Sequence, residues 1–217
     1  MSEFDKQVVV ITGAAGNLGQ AVAHAFAAAG AHLALVDHNT DGLDSVIKAL
    51  TGQASAKAYP TDLIDASAVK ATFSSIVNDF SRIDVLANIA GGFMMGPLIQ
   101  ETEDRDWDFM MDLNVRSVFH TCRRVIPAML DSGGGRIINV SARAAEHGKG
   151  RMAPYCASKA AVLTLTQSLA SLGHATDFFS ESTPQERFLY PCDWREARFV
   201  ILDPMTERWR AEFDPAV

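Results

Sequence analysis

A short β-branched run, Val8-Val9-Val10-Ile11, feeds directly into Thr12-Gly13-Ala14-Ala15-Gly16-Asn17-Leu18-Gly19 and then into the alanine-rich stretch Gln20 to Ala29. Four apolar residues without polar alternation read as a strand covered on both faces. Glycines let the backbone turn sharply and come close to a ligand, and the helix that follows brings its positive N-terminal end to the same place. Strand, turn and helix together therefore make a cradle for a pyrophosphate. A plain tight turn uses the same glycines; the strand before them and the helix after them favour a nucleotide.

The rest of the chain repeats this alternation. His32 to Val36 reads as a second strand ending at Asp37, roughly 20 residues beyond the glycines, where an acidic side chain accepts hydrogen bonds from an adenosine ribose. The same charge would repel a 2′-phosphate, which favours NAD over NADP. An ordinary loop aspartate is the alternative, and His38 beside it softens the charge. A polar helix over about Asp41 to Leu50 follows, then a strand around Ser55 to Tyr59 leading to Thr61-Asp62-Leu63. Asp62 either faces an adenine or caps the helix that runs from about Ala66 to Phe80. Asp84 to Ala87 is the fourth strand, with Asn88-Ile89-Ala90-Gly91-Gly92 at its carboxyl end, and Arg136 to Val140 is the fifth. Strands alternating with helices predict parallel strands joined by right-handed crossovers, hence a doubly wound α/β sheet of six recognisable strands or fewer.

Two positions outside that framework carry chemistry. Pro154 suits the start of a helix, which sets Tyr155 and Lys159 one turn apart on the same face. An ammonium beside a phenol favours phenolate and draws the tyrosine towards a usable acid–base range. Asn114 sits in the middle of a long helix expected over Glu103 to Leu130, an unfavourable place for a side chain that competes for backbone hydrogen bonds. A surface Tyr–Lys pair and an exposed Asn are the plainer alternatives.

Composition excludes several classes. The 217 residues carry a formal net charge of −7, so no nucleic-acid partner is expected. Cys122, Cys156 and Cys192 lack paired spacing, which points to a reducing compartment. The histidines lack metal-ligand spacing. The residues before the first strand are too few and too polar for a signal peptide or a span, so the cytoplasm and no membrane partner are expected.

Taken together, Thr12-Gly13, Gly16, Gly19, Asp37, Asp62-Leu63, Asn88-Ile89-Ala90-Gly91, Asn114, Ser141 and Tyr155-x-x-x-Lys159 resemble the short-chain dehydrogenase/reductase superfamily, classical type, over about Gln7 to Leu169. The resemblance implies a Rossmann-like fold and a nicotinamide cofactor. It implies Tyr155 as the general acid or base and Ser141 as a hydrogen bond to the substrate oxygen. It gives Lys159 the nicotinamide ribose and the tyrosine pKa, and Asn114 a water that links the lysine to solvent. Gly13, Gly16, Asn17, Leu18, Gly19, Asp37, Asp62, Leu63, Asn88, Ala90 and Gly91 would line the cofactor cleft together with Tyr155 and Lys159.

The chain departs from the family in two places. The classical G-x-x-x-G-x-G spacing has Asn17 at its middle glycine. The resulting Gly13, Gly16, Gly19 spacing is similar to that of the extended, epimerase-type branch, for which the chain is too short. Asn tolerates a left-handed backbone, so the turn should survive. From about Gly173 the expected sixth strand, Pro-Gly motif, substrate loop and seventh strand are missing. Eight aromatics and four prolines crowd this segment instead, with Arg198 to Leu202 as a strand candidate and Arg187 to Cys192 as an echo of the sixth strand. It is a divergent closure of the site, a replaced C-terminus or a partner surface. Residues 1–172 are thus expected to form the catalytic domain and 173–217 an atypical segment on it.

The expected function is hydride transfer between nicotinamide and a carbonyl or secondary alcohol. A catalytically impaired nucleotide-binding protein of the same fold is the alternative. Phe93, Met94, Met95 and Met152 suggest an apolar substrate wall, which core packing explains about as well; Arg143, His147, Lys149 and Arg151 suit an anion or a solvated loop. A homodimer or homotetramer paired through the Asn114 and Tyr–Lys helices is what the resemblance implies for assembly.

Overall fold

The structure is a computed structural model, and it describes residues 4–52 and 54–171. The expectations for the segment from about Gly173 onward lie outside the described residues. Five parallel strands form one sheet: β1 (Val8–Thr12), β2 (His32–Asp37), β3 (Ala56–Pro60), β4 (Val85–Asn88) and β5 (Arg136–Asn139), in the order β3-β2-β1-β4-β5. The chain runs outward from β1 to β3, then crosses back to build β4 and β5 on the other side. That reversal opens a crevice beyond the carboxyl ends of β1 and β4.

Six α-helices cover the sheet: α1 (Asn17–Ala28), α2 (Thr40–Ala49), α3 (Ala66–Phe80), α4 (Asp104–Met111), α5 (Ser117–Asp131) and α6 (Ala153–Ser171). Alternation along the strands divides their side chains between two cores. Val9, Ile11, Leu33, Leu35, Val85 and Ala87 pack with Ala23 and Ala27 of α1 and with Leu43 and Val46 of α2. Val10, Ala34, Val36, Leu86 and Ile137 pack on the other face with Phe73 and Ile76 of α3, Val118, Val125 and Met129 of α5 and Val162 of α6. Burial on both faces is why these strands read as continuous apolar runs.

One helix boundary differs from expectation, and one cap falls on a different residue. The long helix is interrupted at Asp112–Arg116 by a π-helical turn, and Asn114 sits inside it, buried. A π turn carries one extra residue per turn and so displaces a side chain relative to the α-helical ladder on either side. The other concerns α3, whose N-cap is Asp65, accepting from Ser67 N and Ala68 N at 2.7 and 3.2 Å. Asp62 instead closes a small turn on Ile64 N at 2.9 Å.

A polar seam runs through the sheet and fixes β4 against β5. Asn88 Nδ2 donates to Asn139 Oδ1 at 2.8 Å, Asn88 Oδ1 accepts from Thr121 Oγ1 at 2.8 Å, and Asn139 Nδ2 donates to Thr166 Oγ1 at 2.9 Å. Amides buried this deeply are tolerated because they are paired. The seam ties α5 and α6 to the sheet beneath the crevice.

The first turn leaves no room for a side chain at Gly19. A Cβ on Gly19 would lie 2.1 Å from Gly13 O and 2.7 Å from Ala14 Cα, both backbone atoms. Gly19→Ala is expected to destabilise the fold by roughly 1–3 kcal/mol, lowering Tm in a calorimetric scan by about 3–10 °C; an unchanged Tm would show that the turn is looser than described.

Candidate active site

The nucleotide end of the crevice is built by the β1–α1 turn. Gly13 takes φ 66°, and a Cβ there would meet Ala90 N and Ala90 Cα at 2.7 Å, so the turn closes directly against the backbone after β4. Gly16 is the N-cap of α1 and brings no side-chain cap, which leaves the first-turn amides to a ligand. Asn17 is the first helical residue and has no positive φ. The altered glycine spacing survives because the left-handed residue is Gly13, not because Asn17 adopts that conformation. Leu18 follows it on α1, and Gly19 brings the helix close against the Gly13–Ala14 backbone of the turn.

Asp37 ends β2 with its carboxylate braced from two sides, accepting from Ala15 N and Asn39 N at 3.0 Å each. The first bond joins the strand end to the glycine turn. His38 Nδ1 lies 3.3 Å from the other carboxylate oxygen. Asp62 is exposed. Leu63 is half-buried and its carbonyl pairs with His120 Nδ1 at 3.0 Å. Ala90 N donates to Thr12 Oγ1 at 3.2 Å, which ties the two strand ends together. Asn88 is the exception among the expected cleft residues, since its side-chain amide is committed to the buried seam between β4 and β5.

The other end of the crevice converges on Gly91. A Cβ on this residue would lie 2.7 Å from Asn114 Oδ1 and 3.2 Å from Lys159 Nζ. Asn114 Oδ1 accepts from Gly92 N at 2.8 Å, while its Nδ2 donates to Gly92 O at 3.1 Å and to Ser158 Oγ at 2.9 Å. The resemblance implies a water held by Asn114; in the structure its side-chain amide clamps the loop after β4 to α6. Lys159 Nζ is buried and donates to Val140 O at 3.1 Å. Burial draws its pKa down to about 8, because a low-dielectric site disfavours the ammonium.

Tyr155 lies one turn before Lys159 on α6, buried among Met110, Ala142, Ala144, Met152 and Cys156, with Met94 and Leu113 packed against the group. Phe93, 49% exposed, meets it edge-on with ring centroids 5.0 Å apart. Phe93, Met94 and Met152 thus pack around the phenol, whereas Met95 is 62% exposed. Arg143, His147, Lys149 and Arg151 are all exposed. Ser141 is placed differently from expectation: its hydroxyl donates to Lys159 O at 2.8 Å and is buried. Its single proton is directed at the α6 backbone.

Spacing reasoning missed Ser158 and the Val140 carbonyl. Ser158 lies inside the Tyr–Lys motif, but nothing in its spacing reveals that it meets Asn114 across the site. Among the described residues, no group of His, Cys, Asp and Glu side chains could hold a metal ion, and no helix is long and apolar enough to cross a membrane.

A doubly wound sheet with a glycine cradle at its switch point, an acidic β2 end and a buried Tyr–Lys turn on α6 has the architecture of a dinucleotide-binding fold. The chain belongs to the short chain dehydrogenase family, whose model matches residues 7–177. D-threitol dehydrogenase of Mycolicibacterium smegmatis is 36% identical over 169 residues, 77% of this chain and 65% of that protein. The 2,3-dihydro-2,3-dihydroxybenzoate dehydrogenase of Bacillus subtilis is 36% identical over 76% of this chain and 64% of its own length. The chain thus spans slightly less than two thirds of these relatives. NAD+-bound xylitol dehydrogenase superposes with a TM-score of 0.74 at 33% identity, covering 78% of this chain and 65% of that one. L-sorbose reductase from Gluconobacter frateurii, complexed with NADPH and L-sorbose, has a TM-score of 0.74 at 28% identity, covering 80% and 68%.

The buried lysine makes stability depend on pH. Its folded pKa, about 8, lies below the ordinary 10.5, so between these values the unfolded chain binds more protons and stability rises with pH. The destabilisation is complete below about pH 8 and gone above 10.5. Relative to Lys159→Met, the wild type is expected to gain up to about 3 kcal/mol across that window in urea titrations. A flat difference would mean that the ammonium is solvated.

Proposed function

We propose that the protein is an NAD-dependent oxidoreductase that moves a hydride between nicotinamide and a carbonyl or secondary alcohol. The observation that carries this is the Lys159 ammonium, buried one turn from Tyr155 and beside the Gly91 backbone. A structural core has little use for a buried ammonium one turn from a phenol and without a carboxylate partner among the described residues; acid–base chemistry does.

The cradle of Gly13, Gly16, Asn17, Leu18 and Gly19 would hold the pyrophosphate, and Asp37 the adenosine ribose. A carboxylate already fixed by two backbone amides cannot turn away from a 2′-phosphate, which supports NAD over NADP. Asp62 and Leu63 would lie towards the adenine, and Ala90 and Gly91 along the nicotinamide side. When bound, the nicotinamide supplies or accepts the hydride. In reduction the Tyr155 phenol gives its proton to the substrate oxygen, and in oxidation the phenolate takes it back. Lys159 lowers the cost of phenolate and reaches the nicotinamide ribose, while Asn114 holds Gly91 and Gly92 at the right distance from α6.

Residues 1–172 would form the catalytic domain and 173–217 a segment belonging to it, working in the cytoplasm. Exposed Trp107, Phe109, Phe119 and Leu130 on α4 and α5 support a homodimer or homotetramer.

Tyr155→Phe tests the mechanism with little change in volume. Turnover in either direction is expected to fall by about 10²–10⁴-fold, with NADH affinity by fluorescence titration within about twofold of wild type. Retained turnover would sink Tyr155 as the acid.

A further inference from the structure

We propose that, among the described residues, the substrate oxygen is held by one hydroxyl, that of Tyr155, and that Ser141 is a positioning residue for α6 rather than a second donor. The proposal rests on the oxidoreductase reading and concerns only how its site is equipped.

Ser141 and Ala142 follow β5 directly. Ala142 has extended dihedrals, φ −153° and ψ 156°, and consecutive side chains in extended backbone point to opposite sides. The two residues divide accordingly. Ser141 turns to α6, where its hydroxyl meets Lys159 O at 2.8 Å. Ala142 turns to the phenol and packs in the same buried cluster as Tyr155. The position beside the phenol therefore carries a methyl, and the neighbouring hydroxyl lies on the other side of the strand end.

A serine has one proton to donate. With it directed at Lys159 O, Ser141 offers a substrate carbonyl no hydrogen bond. What the bond does instead is pin α6 to the end of β5 at the residue that carries the ammonium. Lys159 Nζ on Val140 O makes the second such attachment, so two neighbouring residues of the strand end hold the catalytic lysine at both its backbone and its side chain.

Two donors that share one carbonyl oxygen lie within about 5 Å of each other, so a second hydroxyl would also stabilise the Tyr155 phenolate. That can be read without a substrate, from phenolate absorbance during an alkaline titration of the full chain. The chain has three tyrosines. Tyr59 is pushed above the ordinary phenol range by burial and by its hydrogen bond to Asp79, and a Tyr190→Phe background removes the third. Tyr155→Phe in that background identifies the remaining transition.

Ser141→Ala is expected to leave the Tyr155 midpoint within about 0.3 units while lowering Tm through loss of the α6 attachment. Ala142→Ser, which brings a hydroxyl to the phenol's side, is expected to lower the midpoint by about one unit. A rise of about one unit or more in Ser141→Ala would overturn the proposal, because it would make Ser141 a partner of the phenolate. Should Ser141→Ala not fold, Ala142→Ser decides: a lowered midpoint supports the assignment and an unchanged one removes it. Failure of the oxidoreductase reading is seen separately, as turnover surviving in Tyr155→Phe.

Discussion

The Asn114 side chain holds three elements with one amide. Its oxygen takes Gly92 N, and its nitrogen gives to Gly92 O and to Ser158 Oγ. The π turn brings Asn114 into reach of both, and the Gly91–Gly92 backbone and α6 could not otherwise keep their spacing. Gly91 in turn leaves the space that Lys159 Nζ approaches. Replacing Asn114 with an apolar residue would leave the Gly92 amide and carbonyl short of partners, which costs more than the hydrogen bonds alone contribute. Most of the site's geometry depends on this clamp.

The nucleotide end is organised by a different constraint, which is lack of space. Gly13 and Gly19 are small because backbone lies where their Cβ atoms would go. Ala15 N on the Asp37 carboxylate then links the turn to the end of β2, so the glycine turn and the carboxylate are one rigid piece. Packing on both faces of β1 and β2 supports that piece from below. Preorganisation of this kind means that a dinucleotide would meet groups already in position.

Much of this was legible in the residues themselves. The apolar runs, glycines and helical periodicity place all five described strands and α1, α2 and α3 within a few residues, because local pattern and buried tertiary environment agree there. What local pattern does not carry is anything that depends on which way a side chain turns across the fold. The π turn is set by Asn114 reaching Gly92, a contact far from any local propensity. Asp65 rather than Asp62 caps α3, since two aspartates compete for adjacent amides and only geometry decides. Asn88 reads as a cleft residue by position, yet its amide belongs to a seam with Asn139 and Thr121. Ser141 lies at the expected place in the chain, but spacing does not say which side of the strand end its hydroxyl takes.

Uptake of a nicotinamide dinucleotide by this scaffold, and the choice that Asp37 makes between the two, are the central tests. Titrating the full chain with NADH, and in parallel with NADPH, by nicotinamide fluorescence measures both at once. Saturable NADH binding at least about tenfold tighter than NADPH is the predicted result, since a fixed carboxylate costs a 2′-phosphate more than about 1.4 kcal/mol. Absence of binding by either, or a preference for NADPH, would contradict it.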